Sequence, residues 1–139
     1  MDSAPRFEII AVGAVDAIRL PPPAWVRVRR RLQVAWAHPP HGNAPRAEFR
    51  NGGSQVLEAG FLVTRVDGDD PGAVAASLAT LQDVDPDLGE PRRVELTLGD
   101  LAHRGLLTAL TLRFGPFDGQ ARPAWVRVRV RVAAALEGE

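Results

Sequence analysis

Two segments of the chain have the same seven-residue sequence, in which valine alternates with tryptophan and arginine. The segments run from Pro23 to Arg29 and from Pro123 to Arg129, one hundred positions apart. Guanidinium groups bind carboxylates and phosphates, and an indole ring stacks on bases and other planar groups. The chemistry predicted from this pattern is anion binding. The candidate interface or anion-binding residues are Trp25, Arg27, Arg29, Arg31, Trp125, Arg127, Arg129 and Arg131.

The period-two alternation predicts β-strands with one face towards the core and the charged face towards solvent or a partner. Residues at i and i+2 of a strand lie about 6.6 Å apart, close to the spacing of phosphates along a single-stranded nucleic acid. One hypothesis is therefore a nucleic-acid-binding face on which the tryptophans stack with bases. The other is that acids cover the arginines, either from another protein surface or from adjacent strands. The acids expected on adjacent strands are Glu8, Glu48, Glu58 and Glu95.

Residues that usually carry catalysis are scarce. The chain has no Cys, no Lys and no Tyr, and it has three Ser, so an activated nucleophile has few candidates. Ser54 follows two glycines, but Val56 stands where a nucleophile elbow requires Gly. A Walker-type phosphate loop requires the missing Lys, and no Gly-x-Gly-x-x-Gly motif occurs. We therefore predict no catalytic residue, no cofactor and no enzymatic activity.

Metal ligands are equally sparse. His38 and His41 flank two prolines, without a Cys or a nearby carboxylate to complete a tetrahedral zinc set, and His103 is predicted at the surface or at a helix end. Two acidic clusters flank a predicted helix whose ends lie about 18 Å apart, too far for one calcium ion. Local roles explain their acids, with Asp70 as a helix N-cap and Asp85 in a turn. We predict no metal site.

The formal net charge of zero hides a separation of charge along the chain. Residues 67–100 contain nine acids and two arginines, a sum of −7, so the remaining residues sum to +7. Zero net charge argues against a general polyanion binder. The separation of positive and negative residues along the chain favours self-association or a protein partner. The acidic partner candidates are Asp67, Asp69, Asp70, Asp83, Asp85 and Asp87.

The elements that must position these residues are mostly strands. We predict a β-rich α+β fold, with an antiparallel sheet, sandwich or barrel of about six or seven strands in a single domain spanning residues 1–139. One main helix is predicted at about residues 71–82. Strands predicted at Phe7 to Val15 and at Thr108 to Phe114 each precede one copy of the repeat. This order predicts duplicated hairpins at the two ends of the chain.

Turn residues and strand length predict smaller features. The segment 51–54, Asn-Gly-Gly-Ser, is predicted to be a hairpin turn between two strands. A further strand is predicted at 93–98, and a short helical turn at 101–107. The first repeat strand, 24–37, is longer than usual. Such strands extend arms, close barrels or line subunit interfaces.

The predicted function is that of a non-enzymatic structural or assembly module that self-associates or packs in a larger particle, such as a virion or a secretion machine. The missing catalytic residues, the repeated hairpins and the separated charges favour this prediction. Two alternatives are a single-stranded nucleic-acid-binding protein that uses the Trp and Arg faces, and a small-ligand-binding β-barrel. The apolar run 9–15 is too short to cross a bilayer, so we expect no membrane partner and a cytoplasmic or particle-bound location.

Overall fold

The alternating segments form strands, as the sequence predicts. A computed structural model describes residues 6–37, 46–65 and 70–135, with side chains except in 32–37, 46–53 and at 135. The predicted β-rich α+β class with one main helix is confirmed. Within these ranges the elements are β1 (Phe7–Ala11), β2 (Ile18–Arg19), β3 (Trp25–Ala37), β4 (Arg46–Thr64), α1 (Pro71–Thr80), β5 (Val84–Asp85), β6 (Glu90–Pro91), β7 (Val94–Leu98), β8 (Leu101–Phe114) and β9 (Trp125–Ala135).

Seven strands form one antiparallel sheet in the order β2-β1-β7-β8-β9-β4-β3, and β5 pairs with β6 separately. Strand β8 belongs to two halves of the sheet, since its residues 101–105 pair with β7 and its residues 106–114 pair with β9. The ring centroids of Phe7 on β1 and Phe61 on β4 are 5.4 Å apart. In a flat sheet, four strand spacings would put about 19 Å between these strands. The sheet therefore folds over at β8, so that its two halves face each other.

The core fills the space between the two halves of the sheet. Alternate valines of β9 point inward, as predicted, and none is more than 1% exposed: Val126, Val128, Val130 and Val132. The same core contains buried residues of β4, β1, β7 and α1, among them Leu57, Phe61, Ile9, Leu96 and Leu78. Each large apolar side chain removed from water contributes roughly 1.5–3 kcal/mol. Packing between the halves therefore holds the folded sheet together.

Strand β3 differs from β9 although both carry the repeat. It is the edge of the sheet, next to β4 alone among the described strands. Val26 is therefore only half-buried, and Val28 is 43% exposed. The prediction of a core-facing side holds for β9 and for Val26 of β3, which packs against the core, and is wrong for Val28. The reason is that burial depends on the neighbouring layer as well as on the alternation.

Helix α1 begins where the sequence predicts and ends at residue 80 rather than 82. The Asp70 carboxylate accepts hydrogen bonds from two backbone N–H groups of the first turn, at 3.1 and 3.4 Å, so it caps the helix as expected. Leu78 points to the core and is fully buried. No helix in the described ranges is long and apolar enough to cross a membrane.

The duplicated hairpins are confirmed at one end of the chain and wrong at the other. Strands β8 and β9 form the predicted second hairpin. In the first copy, β1 pairs with β2 and β7, while β3 pairs with β4. Both edges of β1 are occupied, so none is left for β3. In addition, the prolines at 21–23 lack the N–H donors that would extend a hairpin ladder into the connection.

The segment 51–54 does not turn the chain, contrary to the prediction. Strand β4 runs through it without a break. Between the pairs Leu32 with Gly53 and Val34 with Phe49, β4 advances four residues while β3 advances two. The extra residues form a bulge, which glycine favours inside a strand because it accepts irregular backbone angles. The Asn-Gly-Gly sequence therefore interrupts the pairing of one long strand instead of joining two short ones.

The predicted helical turn at 101–107 is wrong, because this segment is a strand, the first half of β8. Gly99 begins a two-residue connection from β7 and has a positive φ of 56°, which tight hairpins require. Gly105 lies where β8 passes from β7 to β9, and a Cβ there would lie 2.3 Å from the backbone oxygen of Ala133. Gly105 thus permits the close approach of two strands at the point where the sheet folds over.

The β3–β4 hairpin extends beyond the rest of the sheet. The described part of β9 pairs with β4 from Ser54 to Thr64, whereas residues 46–49 and Gly53 of β4 pair with β3 alone. The long strand predicted at 24–37 therefore forms part of a two-stranded arm. The outermost strands of the described sheet, β2 and β3, do not pair with each other. The sheet is open, so it does not form the closed barrel of the small-ligand hypothesis.

Candidate protein interface

Strands β3, β4, β9 and β8 have one side that no other described element covers, and we call this side the outer face. It lies opposite the core because side chains alternate along each strand. All eight interface residues predicted from the sequence lie on it. Its residues include Trp25, Arg27, Arg29 and Arg31 of β3, Glu58, Gly60 and Leu62 of β4, Trp125, Arg127, Arg129 and Arg131 of β9, and Thr111 and Arg113 of β8.

Strand β4 separates the two copies of the repeat, which run parallel to each other. Trp25 and Arg129 oppose Gly60 from its two sides, so the copies are offset by four residues along the sheet. Two strand spacings put about 9.6 Å between them. The sequence left open whether acidic strands separate the arginines. A strand does separate them, and among its described side chains it contributes one acid to the outer face, Glu58.

Glu58 holds one arginine from each copy of the repeat. Its Oε1 accepts a hydrogen bond from Nη2 of Arg27 at 3.2 Å, and its Oε2 accepts one from Nη2 of Arg129 at 2.7 Å. The hydrogen bond from Arg129 contributes most to holding the pKa of Glu58 below its usual range, although burial acts in the opposite direction. The other arginines of the outer face make no ion pair with a described carboxylate. The face therefore has a surplus of positive charge.

The other acids predicted to neutralise the repeat do not reach it. Glu95 pairs with Arg104 at 2.9 Å, and Glu8 pairs with Arg6. The side chain of Glu48 lies outside the described residues. Among the described side chains, pairing across adjacent strands thus accounts for two arginines of the repeat, Arg27 and Arg129.

Replacing Glu58 by Gln is expected to lower the free energy of unfolding near neutral pH by about 1 kcal/mol, because two charge-assisted hydrogen bonds weaken while both guanidinium groups stay half exposed to water. The folded-state pKa lies below the ordinary value. The stabilisation is therefore present above about pH 4.3 and is lost as the pH falls through the folded-state pKa. Urea unfolding at about pH 7, 5 and 3 measures this. An acid dependence as steep in the variant as in the wild type would contradict the role of Glu58.

Each tryptophan of the repeat lies over a glycine of the neighbouring strand segment. A Cβ at Gly60 would lie 2.3 Å from Nε1 of Trp25, and one at Gly115 would lie 2.4 Å from Cε2 of Trp125. The guanidinium carbon of Arg129 is 5.7 Å from the ring centroid of Trp25, within the range of a cation–π contact. The repeated sequence therefore forms the same local structure twice. The sequence alone did not identify the two glycines, because they lie far from the tryptophans along the chain or in a turn.

Replacing Gly60 by Ala is expected to displace the Trp25 ring, because the new methyl group needs the space of its Nε1. Overpacking of this kind costs about 1–3 kcal/mol, and the displaced indole should emit at longer wavelength. Gly119→Ala is the matched control, since no described heavy atom lies within 4 Å of a Cβ at Gly119. Urea unfolding and tryptophan emission test both variants. Equal stability and emission of the two would show that Trp25 does not rest on Gly60.

A groove of about 570 Å³ crosses the outer face beside Trp25. Its lining combines the apolar side chains of Trp25 and Leu62 with three arginines, Arg113, Arg127 and Arg129. Arg113 and Arg127 stand directly opposite each other on β8 and β9, where like charges are destabilising. The groove therefore favours an occupant that brings both apolar surface and negative charge.

Arg113 was not among the candidates predicted from the sequence. It lies in the strand predicted at 108–114, and its place beside Arg127 follows from the β8–β9 register. The signal that identifies it is the hairpin register, which continues the alternation of exposed residues onto the neighbouring strand. Local residue types alone do not supply that register.

Two of the acidic partner candidates have local structural roles. Asp70 caps α1, which packs on the core side of the sheet. Asp85 accepts a hydrogen bond from Nε of Arg92 at 2.5 Å, and this bond contributes most to holding the pKa of Asp85 below its usual range. Neither carboxylate contacts the outer face.

The remaining acidic candidates do not cover the arginines within the described structure. Asp83 and Asp87 are exposed beside β5 and β6. Asp67 and Asp69 lie outside the described residues. Among the carboxylates that the structure describes, Glu58 alone therefore forms ion pairs with the repeat arginines.

His103 is buried, and the prediction of a surface or helix-end position is wrong. Its Nδ1 accepts a hydrogen bond from Nε2 of Gln55 at 3.1 Å, and its Nε2 donates one to the backbone oxygen of Val132 at 3.0 Å. Both ring nitrogens are thus used in joining β8 to β4 and β9. His38 and His41 lie outside the described residues. In the rest of the chain, no three His, Cys, Asp or Glu side chains are grouped closely enough to hold a metal ion.

Comparison of the chain with protein-family models and with curated proteins gives no match. Among solved structures, the chain is similar to a chain of the virion of a native gene transfer agent particle. The two chains are 13% identical, the alignment covers 96% of this chain and 95% of that chain, and the TM-score is 0.49. The contacts of the outer face, rather than this similarity, are the basis for a functional proposal.

Proposed function

We propose that this protein is a non-enzymatic structural module that self-associates through its outer face, as a subunit of a larger particle such as a virion or a secretion machine. The observation that carries the proposal is the uncovered outer face, on which seven arginines and two tryptophans share one described acid, Glu58. A protein surface whose carboxylates face these arginines would neutralise the surplus positive charge.

The residue types of the outer face suit a protein partner. Trp and Arg are enriched where protein interfaces derive most of their binding energy. Here Trp25 rests on Gly60, and Glu58 holds Arg27 and Arg129 by hydrogen bonds. These contacts restrain the side chains before a partner binds, which lowers the entropic cost of association.

The same contacts give less support to the nucleic-acid alternative. A base needs a free indole face on which to stack. Trp25 packs against Gly60 and Trp125 against Gly115, and the guanidinium carbon of Arg127 lies 5.9 Å from the Trp125 ring centroid. The alternative predicts salt-sensitive quenching of tryptophan fluorescence by oligonucleotides. We expect no quenching at about 50 mM salt, and strong quenching there would favour nucleic acid as the occupant.

The groove offers binding chemistry rather than acid–base chemistry. The polar side chains that line it are three arginines and Thr111. Arginine keeps its proton at physiological pH, so it cannot act as the general base that would activate the hydroxyl of Thr111. These properties support the non-enzymatic part of the proposal.

Light scattering after size-exclusion chromatography tests the proposal with two adjacent arginines. Arg29 points to the outer face and Arg30 to the other side of β3, and both are exposed. We expect the wild-type protein to form assemblies larger than one chain at about 50 mM salt. Arg29→Glu should weaken them about tenfold, which corresponds to about 1.4 kcal/mol. Arg30→Glu makes the same charge change and should assemble like the wild type.

Two results would contradict the proposal. One is a wild-type protein that stays monomeric at high concentration and low salt. The other is equal weakening by Arg29→Glu and Arg30→Glu, which would indicate a general effect of net charge rather than a contact on the outer face.

A further inference from the structure

Strands β5 and β6 form a small hairpin, residues 83–91, that contains several acids. We call this hairpin the acidic knob. Val84 and Leu88 on this knob are 62% and 60% exposed, unusually high for large apolar side chains. Three exposed acids lie next to them in the same hairpin: Asp83, Asp87 and Glu90. The knob thus presents apolar surface together with negative charge.

The acidic knob is held in one conformation by its own hydrogen bonds. Asp85 accepts hydrogen bonds from Nε of Arg92 at 2.5 Å and from the backbone N–H of Asp87 at 2.8 Å. The backbone oxygen of Asp85 accepts from the N–H groups of Leu88 and Gly89, at 3.1 and 2.8 Å. Arg92 neutralises Asp85, whereas the three exposed acids make no ion pair with a described cation. Leu88 and these acids are therefore positioned before any partner binds.

The knob lies beside the segment that follows β1, a different part of the molecule from the outer face. The N–H of Val12, just after β1, donates to the backbone oxygen of Arg93 at 2.8 Å, which joins the end of the knob segment to the β1 layer. That layer contains β1 and β7 and packs on the core side of β4 and β9. The acidic knob is thus positioned beside the β1 layer, and none of its residues lines the groove of its own chain.

The groove complements the knob in chemistry. Trp25 and Leu62 in the groove offer apolar surface to a branched side chain such as that of Leu88. Arg113, Arg127 and Arg129 offer guanidinium groups to carboxylates beside that side chain. An acidic occupant would also relieve the repulsion between Arg113 and Arg127, which face each other across two strands.

We propose that the acidic knob of one copy docks in the groove on the outer face of the next copy. Leu88 lies against Trp25 and Leu62, and the knob carboxylates face the groove arginines. This proposal rests on the proposed function and names the surface that the outer face binds. Because knob and groove are different surfaces of the same chain, the contact is head-to-tail and continues into a closed ring or an open filament.

Two charge-reversal variants test the docking. The groove variant is Arg113→Glu with Arg127→Glu, which replaces one like-charged pair by another and leaves the hydrogen bonds of Glu58 intact. The knob variant is Asp83→Arg with Asp87→Arg, which spares the contacts of the Asp85 side chain. We expect each variant alone to be monomeric by light scattering at a salt concentration where the wild type assembles.

Mixing the two variants gives the decisive result. The groove variant retains a normal knob, and the knob variant retains a normal groove, so these two surfaces dock. The two substituted surfaces also carry opposite charges, so chains of the two variants can alternate. We therefore expect the mixture to assemble with the two variants in one-to-one ratio. A chain with all four substitutions regains complementary charges and should assemble again.

Other outcomes separate this proposal from the proposed function. If the groove variant fails to assemble and the knob variant assembles like the wild type, the outer face is an interface but the knob is not its occupant. If both variants are monomeric and the mixture stays monomeric, head-to-tail docking is overturned. If the wild type is monomeric, both proposals fail. Leu88→Ser keeps every charge and should weaken assembly about tenfold, so it tests the docking even if a charge-reversal variant does not fold.

Discussion

Replacing Gly105 by Val is expected to lower the free energy of unfolding by about 3 kcal/mol or more. A Cβ at this position would lie 2.3 Å from the backbone oxygen of Ala133, and backbone cannot move aside as a flexible side chain can. The clash falls where β8 leaves β7 and joins β9, so it forces apart the two halves of the sheet. For a domain whose total stability is of the order of 5–15 kcal/mol, this is a large fraction.

Urea unfolding of Gly105→Val beside Gly119→Val measures the effect. Gly119 has no described heavy atom within 4 Å of a Cβ, and its φ is not positive, so valine should be accepted there at little cost. If the two variants are equally stable, β8 does not approach β9 as closely as the folded sheet requires.

The double variant Arg127→Glu with Arg129→Glu is expected to abolish self-association, weakening it by at least about 100-fold, or about 2.7 kcal/mol. Each substitution changes the charge of the outer face by two units, and both residues line the groove. Acidic groups on a partner would then meet carboxylates where they now meet guanidinium groups. Light scattering at low salt measures the loss.

A conservative variant and a stability measurement make this result interpretable. Arg127→Lys with Arg129→Lys keeps the charge but loses the planar donor pair, so we expect association weakened by about tenfold. A carboxylate at position 129 faces Glu58, so urea unfolding of both variants is measured alongside. A folded Glu variant that assembles at full strength would contradict the assigned interface.

The outer face was predictable from the sequence because alternation is a local property. Trp125 and the arginines at odd positions of β9 point away from the valines at even positions, whichever strands lie beside them. The cap of α1 is equally local, since Asp70 needs only the next few backbone N–H groups. Alternation within a strand and the helix cap are therefore predicted correctly without knowledge of the strand pairing.

The strand pairing was not predictable, because it depends on residues far apart in the chain. The sequence order favours a hairpin of β1 with β3, whereas the structure places β4 beside β3 and β7 beside β1. Burial follows the same rule, since Val28 of β3 is exposed and its counterpart Val128 of β9 is buried. Identical repeats acquire different environments because one lies at the edge of the sheet and the other near its middle.

Glycine has different roles in this fold that its local sequence does not distinguish. The Asn-Gly-Gly-Ser segment indicates a turn by local chemistry, but β4 uses it as a bulge. Gly105 indicates a weak helix, but a neighbouring strand needs the space of its missing side chain, as the Trp25 ring needs that of Gly60. A glycine in the sequence shows that the backbone can adopt unusual angles or be approached closely. Only the neighbouring elements show which of these the fold requires.

The separation of charge along the chain cannot be interpreted without the fold. The acidic segment 67–100 could cover the arginines of its own chain, according to the sequence alone. In the described part of that segment, Asp85 pairs with Arg92 and Glu95 pairs with Arg104. No described ion pair joins an acid of this segment to an arginine of the outer face.

Sedimentation velocity of the wild-type protein at increasing salt tests most directly whether the outer face binds an acidic surface of another copy. We expect a mean mass well above one chain at about 50 mM NaCl. The mass should fall towards that of one chain at about 500 mM, as the screening length shortens from about 14 Å to about 4 Å. A protein that sediments as a single chain at every salt concentration, including the lowest, would contradict self-association through the outer face.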